Sequence, residues 1–417
     1  MGITDLAIKG GPAAVTLPTP GWPISGDQEV AWMEQVVRSG QWSWLGQHER
    51  AFCEEFAAFI GSRYAMLLAN GTVTIQCALQ AVGVEPGDEV IVPGLTWTAT
   101  LQAALDIGAN AVLVDIDPET YCIDPAAVEA AITPRTKAIL PVHLYGCMCD
   151  MDALGELARR HNLKIVEDVA HQHGSQWRGK GAGALGDAGS FSFQQSKVLT
   201  CGEGGGITCN DPEVYETAFC LKHVGWMPDL ATPGNRYGHN YRATEMQAVL
   251  LRGGLRRLEE HLRIREENAA ILSEGLERLG GPLRVARRDP RVTRQSYYCL
   301  TLHYDSDKAQ GLTRDQYAAA LGAEGLGVSP TYPPVYRHRI LNLYDRTSPV
   351  PYRAPGSLQN YAELSLPVTE RVCAEEGLVL FHTQLLGDRA YTEQLLEAAR
   401  KVQENLPALR DHFAAEG

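Results

Sequence analysis

Lysines occur in this sequence at positions 9, 137, 164, 180, 197, 222, 308 and 401, and one of them is placed for chemistry. Lys197 follows the apolar run Ser190–Phe193 and precedes the glycine-rich turn Thr200-Cys-Gly-Glu-Gly-Gly-Gly206. A lysine at the end of a buried strand is partly desolvated, which lowers its pKa and frees the amine to attack a carbonyl carbon. The plainer alternative is a solvated charge at a sheet edge. Asp168 ends another apolar run, in Lys164-Ile-Val-Glu-Asp168. An acid at the carboxyl end of a buried parallel strand faces the crevice where such sheets bind ligands. It can simply cap the next helix. It can also keep a pyridine nitrogen protonated, the condition under which a pyridoxal ring accepts electrons.

Two further places suit such a ligand. Asn70-Gly71-Thr72 ends an apolar run and opens a helical pattern. Free N–H groups and the helix dipole make that position an anion site. Trp97, in Pro93-Gly-Leu-Thr-Trp97, follows another apolar run. Its flat face can stack on a ring or fill the core.

The elements that must position these residues alternate in type. Short apolar runs at Ala65–Ala69, Glu89–Val92, Ala111–Ile116, Lys137–Leu144, Lys164–Val166, Ser190–Phe193 and Gly206–Cys209 read as strands. Between them Ile75, Ala78, Leu79 and Val82 repeat at helical spacing, as do Val128, Ala131 and Ile132 after the Asp124-Pro125 start signal. Strands alternating with helices, apolar on both faces, predict an α/β fold with a mostly parallel central sheet. A long helix is expected from Thr244 to about Leu279, bent at Gly253-Gly254. Beyond it, a strand at Tyr297–Leu302 and helices at Arg314–Leu321 and Glu393–Leu406 predict a smaller α+β domain. The expected organisation is an irregular arm over residues 1–25, a large domain over 26–255, and the long helix with the small domain over 256–417.

The chain has 417 residues and a net charge of −13. That balance argues against a nucleic-acid or anionic-membrane surface. No apolar run approaches the roughly 18–20 residues of a membrane span. The start lacks a basic segment followed by an apolar stretch, so no export signal is expected and the dilute cysteines point to a reducing cytoplasm. Gly181-Ala-Gly-Ala-Leu-Gly186 formally matches a dinucleotide fingerprint, but no strand precedes it and no helix follows, so a nicotinamide site is not expected. Cys147-x-Cys149 and His171-x-His173 lack further ligands at metal-site spacing, and no metal is expected.

The ordered set Asn70-Gly-Thr, Thr96-Trp97, Pro141-Val-His-Leu-Tyr-Gly146, Glu167-Asp168-x-x-His171-x-His-Gly174, Ser192-x4-Lys197 and Gly202-Glu-Gly-Gly205 resembles the DegT/DnrJ/EryC1/StrS family. These are pyridoxal-phosphate aminotransferases of keto-sugars and keto-cyclitols. The resemblance implies the aspartate-aminotransferase-like fold (fold type I) and a homodimer with active sites at the subunit interface. It implies Lys197 as the Schiff-base lysine and Asp168 as the partner of the pyridine nitrogen. It places His171 near the cofactor's phenolic oxygen, Trp97 against its ring, and Gly71, Thr72 and Ser192 around its phosphate. Asn240 corresponds to an asparagine reaching the phosphate from the other subunit. Arg242, His143 and Tyr145 are candidate substrate contacts.

Family members that replace the lysine with histidine are dehydratases, and this chain keeps Lys197. Phe193–Gly205, Thr120–Pro125 and Arg294–Tyr298 look like the branch that aminates scyllo-inosose or 2-deoxy-scyllo-inosose with glutamine in aminocyclitol-antibiotic pathways. That branch tends to show two adjacent histidines where this chain has Phe381-His382, which leaves the acceptor ketone open. The aminohydroxybenzoate synthases, lyases that aromatise their substrate on the same lysine, are the alternative. A non-catalytic binding protein on this fold is a further one, disfavoured by the retained Lys197 and Asp168.

Overall fold

A computed structural model describes residues 5–234, 236–341 and 359–416. Seven strands build the main sheet: β1 Tyr64–Leu68, β2 Glu89–Pro93, β3 Asn110–Val114, β4 Thr136–Ile139, β5 Lys164–Asp168, β6 Ala188–Ser192 and β7 Gly205–Cys209. Their order across the sheet is β1-β7-β6-β5-β4-β2-β3. Only β7 runs against its neighbours, β1 and β6; the other pairings are parallel. The sheet is therefore mostly parallel, as the doubly apolar strands predict. Within β2, Val90 and Val92 join one buried cluster with Leu79 and Leu101, while Ile91 joins another with Leu258 and Leu262. Successive side chains thus point into two separate cores, one on each face.

Local signals start the helices where the site needs them. Asn70 caps the helix Gly71–Ala81 by accepting from the Val73 N–H at 3.0 Å. Asp124 caps Pro125–Ala131, with proline at the first turn. The long helix Glu245–Leu279 runs unbroken from a Thr244/Gln247 capping box to Gly280 in the left-handed conformation. The Gly253-Gly254 pair lets neighbours approach it: a Cβ on Gly253 would overlap the Glu29 carboxylate, and one on Gly254 would come within 2.9 Å of Leu199.

A second, antiparallel sheet follows, ordered Leu283–Val285, Cys299–Tyr304, Gly377–Phe381, Val328–Pro330. The end of the long helix and the helices Arg314–Ala323 and Arg389–Glu404 cover it through Leu272, Leu276, Tyr317 and Leu395. The N-terminal segment, irregular apart from a short turn at Ala7–Lys9, is strapped down. Leu6 enters this third core, and the buried Glu324 carboxylate accepts from the N–H groups of Ala7 and Ala14 and from Lys401. Trp22 Nε1 then donates to the Gln195 carbonyl at 3.1 Å, two residues before Lys197.

The glycine-rich loop after β5 does grip an anion, and the anion belongs to the chain. The fully buried Glu167 carboxylate accepts from the N–H groups of Gly183, Leu185 and Gly186 at 3.0, 2.8 and 2.7 Å, and from His143 Nε2 at 3.0 Å. Glycine is required because a Cβ on Gly183 would strike the Phe191 ring and one on Gly186 would meet the Ile165 carbonyl at 2.7 Å. Glu167 neighbours Asp168 on β5, so this loop fixes the strand end that carries the acid. Replacing Glu167 by Ala strands the buried Gly183 N–H and the half-buried Leu185 and Gly186 N–H groups. We expect a stability loss of about 3–5 kcal/mol, read from the urea midpoint; an unchanged midpoint would contradict this account.

Candidate active site

The carboxyl ends of the parallel strands converge on one cavity of about 440 Å³. β5 delivers Asp168, β6 delivers Ser192, the turn after β1 delivers Gly71 and Thr72, and the segment after β2 delivers Trp97. Lys197 and His171 complete the wall, so seven of the eleven expected site residues share this space. Lys197 is the sole Lys or Arg among the described lining residues.

The Lys197 amine lies 4.5 Å from the centre of the Tyr298 ring. Burial pulls its pKa down to about 8, against the opposing pull of the Asp168 charge. Burial likewise raises the Asp168 pKa, while the Ala170 N–H, the Thr100 hydroxyl and the Lys197 charge favour its ionised form. The carboxylate is held at both oxygens: Ala170 N–H donates to Oδ1 at 3.1 Å and Thr100 Oγ1 to Oδ2 at 2.8 Å. Thr96 bonds Thr100 at 2.9 Å and fixes its rotamer.

On another part of the cavity wall, Val73 N–H is taken by the Asn70 cap and Thr74 N–H by the Asn70 carbonyl. The N–H groups of Gly71 and Thr72 have no partner within the helix and are free for an anion. Gly71 lies against β6: a Cβ there would sit 2.8 Å from the Ser192 Cβ. Amide donors, a serine hydroxyl and a close-packed glycine make an anion cradle. Trp97, 57% exposed, stands beside Tyr332 with ring centres 5.3 Å apart.

His171 stacks on Tyr298 at 4.1 Å. Its Nδ1 accepts from the Tyr145 N–H at 3.1 Å, so the ring proton resides on Nε2. Burial first, then the Lys197 and His173 charges, holds its pKa well below the usual imidazole range. It is a neutral donor at physiological pH.

Four expected residues lie outside the cavity wall. His143 is fully buried behind it, donating to Glu167 and accepting the Cys149 N–H at 3.1 Å. That corrects its expected substrate contact: both ring nitrogens are already engaged. Tyr145 is also buried; its hydroxyl accepts from the Tyr332 N–H at 2.7 Å, and it supports His171 from behind rather than facing a substrate. Asn240 and Arg242 sit on an outer segment beside the end of β1, where Ala69 N–H donates to the Tyr241 carbonyl at 2.8 Å. The Arg242 guanidinium lies 4.8 Å over the Trp44 ring.

Thr100, Tyr298 and Tyr332 line the cavity without having been picked out by role. The Thr96/Thr100 pair was available as a one-turn spacing of hydroxyls, and Tyr298 lay at the start of the expected strand Tyr297–Leu302, whereas Tyr332, just after the strand Val328–Pro330, carries no local signal. Among the described residues no group of three or more His, Cys, Asp or Glu side chains is arranged for a metal. Cys149 Sγ instead donates to the Val142 carbonyl at 3.2 Å.

Comparison with known proteins agrees with this geometry. Residues 23–379 match the model of the DegT/DnrJ/EryC1/StrS aminotransferase family. A protein of Streptoalloteichus tenebrarius, provisionally named an L-glutamine:3-amino-2,3-dideoxy-scyllo-inosose aminotransferase, is 41% identical, covering 98% of this chain and all of its own. The L-glutamine:scyllo-inosose aminotransferase of Streptomyces griseus is 38% identical over 97% of this chain and 98% of its own. The crystal structure of 3-amino-5-hydroxybenzoic acid synthase superposes with a TM-score of 0.81 at 34% identity, covering 92% of this chain and 98% of its own. With that match along most of its length, and a lysine, an aspartate and an anion cradle gathered in one cavity, the chain belongs to the DegT/DnrJ/EryC1/StrS family of pyridoxal-phosphate-dependent aminotransferases.

Proposed function

We propose that this enzyme moves the amino group of L-glutamine or L-glutamate to the ketone of a cyclitol or sugar, in a route to aminocyclitol or aminosugar antibiotics. The observation that carries the reading is the cavity shared by Lys197 and Asp168 with the Gly71–Ser192 cradle. The cyclitol class rests on the names of the relatives at 38–41% identity, which exceed the 34% shared with the aromatising synthase.

The site residues take the following parts in this proposal. Bound pyridoxal phosphate supplies an electron sink. The Gly71 and Thr72 N–H groups and the Ser192 hydroxyl hold its phosphate, and Trp97 covers its ring. His171 Nε2–H donates to the phenolic oxygen. Asp168, gripped by Thr100 and Ala170, keeps the ring nitrogen protonated. Lys197 would hold the cofactor and, once released by the donor, its amine would take the proton from the donor α-carbon. Its lowered pKa suits that work near neutral pH. Lys197 would serve as the base in both halves of the reaction, being the sole Lys or Arg among the described lining residues.

A second copy of the chain completes the site in this reading. The donor carboxylate needs a cation, and Lys197 is already committed. In this reading Asn240 and Arg242, outside their own cavity, serve a partner's. Beside them Trp42, Trp44, Trp226 and Tyr237 expose large apolar surface, which suits a homodimer contact. Among the described residues no helix is long and apolar enough to cross a membrane, and all the cysteines are free, which fits a cytoplasmic enzyme.

Incubation with glutamine and a panel of keto-inositols and nucleotide keto-sugars tests the function. We expect one keto acid formed per amine gained by a cyclitol; an aromatic product without donor turnover would establish lyase chemistry instead. Lys197→Ala should lose both the cofactor's visible absorbance and all turnover, and residual turnover in a clean preparation would remove the mechanism. Asp168→Asn should retain cofactor but slow proton transfer at least about a hundredfold, the scale on which positioned groups act. Near-normal kinetics in that variant would mean that another acid holds the ring.

A further inference from the structure

Arg265, on the long helix, is fully buried without a carboxylate partner among the described residues. Its Nε and Nη1 have no hydrogen-bond partner, and burial pulls its pKa down to about 9, still protonated at neutral pH. A buried charge left this way is expensive unless its position serves something. Its Nη2 lies 3.1 Å from His382 Nδ1, and its guanidinium 5.5 Å from the Trp22 ring centre.

A guanidinium only donates, so His382 Nδ1 must accept. The imidazole proton is thereby forced onto Nε2, which lies 2.9 Å from the Ser196 carbonyl and donates to it. Trp22 packs edge-on to His382 at 4.8 Å and donates to the Gln195 carbonyl at 3.1 Å. The two consecutive carbonyls before Lys197 are therefore each held from outside the turn by an aromatic N–H. The backbone of this lever is itself fixed. His382 N–H donates to the Tyr298 carbonyl at 3.1 Å, and Asn268, one turn along from Arg265, bonds the Leu385 and Gly387 carbonyls at 2.9 and 2.8 Å.

We infer that Arg265, His382 and Trp22 form a positioning device that sets the peptide before Lys197 and so aims the amine into the cavity. Arg265 acts as a tautomer lock, His382 as the strut and Trp22 as the second strut. None of the three lines the cavity; each acts through the Lys197 turn. The inference rests on the proposed role of Lys197 as the residue that captures the cofactor.

The test compares His382→Phe, which keeps ring volume and loses the donor, with His382→Gln, which keeps an N–H donor, and with Arg265→Met and Trp22→Phe. The cofactor-free proteins are mixed with pyridoxal phosphate, quenched with borohydride at timed intervals, and the label on the Lys197 peptide is measured. Capture should slow about tenfold in His382→Phe and Arg265→Met, the order of effect expected when a reacting group is slightly misaimed. His382→Gln should recover to within about twofold. Amide hydrogen exchange over residues 195–202 should rise in His382→Phe and Trp22→Phe and return in His382→Gln. Wild-type capture and wild-type exchange in His382→Phe would overturn the inference. If Arg265→Met does not fold, the His382 and Trp22 variants decide alone. Absence of label on Lys197 in the unmodified protein would refute the cofactor assignment instead, and the exchange data would still judge the device.

Discussion

Removing a lysine amine and an aspartate carboxylate from water inside the same cavity is the constraint around which this molecule is built. For Lys197 the drop from 10.5 to about 8 corresponds to about 3 kcal/mol against the charged amine. A surface lysine would have no such penalty and no such reactivity. The carboxylate is kept usable by two donors and by the opposite charge nearby. Neither group can sit on a loop free to relax toward solvent. Both are therefore tied to rigid parts: Asp168 to a central strand, and Lys197 to a turn braced by residues from the arm and the second sheet.

The mostly parallel sheet is the means of gathering these groups. Parallel strands put all their carboxyl ends on one edge, and each following turn is free to carry a functional group there. β1, β5 and β6 supply the cradle, the acid and the serine by the same rule. The reversed strand β7 closes the loop that holds Lys197: Phe193 N–H donates to the Gly204 carbonyl and Gln195 N–H to the Gly202 carbonyl, at 2.8 and 2.7 Å.

What could be read from the sequence was what local chemistry dictates. The Asp124-Pro125 signal starts a helix where it was expected, because capping depends on a few adjacent residues, and the long helix begins just after Thr244, as its pattern indicated. The convergence of Lys197, Asp168, Trp97 and Gly71 followed from strand ends of known direction. The strand expected over Lys137–Leu144 is interrupted after Ile139, where Pro141 has no N–H to give the ladder, and resumes only as an isolated pairing of Val142 with Asp168. His143 and Tyr145 were expected at the substrate and lie behind the wall, because the sequence says which residues follow a strand but not which way they turn. Tyr332 and the Arg265–His382 contact depend on segments far apart in the chain, for which no local pattern exists.

The glycine loop after β5 carries a consequence for how such motifs are judged. Three of its amides are already saturated by Glu167, a resident counter-ion supplied by the neighbouring strand. A loop with the spacing of a nucleotide binder has thus been turned inward, so that it welds scaffold instead of recruiting a diphosphate. The decisive question for any glycine fingerprint is therefore whether an acid of its own already plugs it.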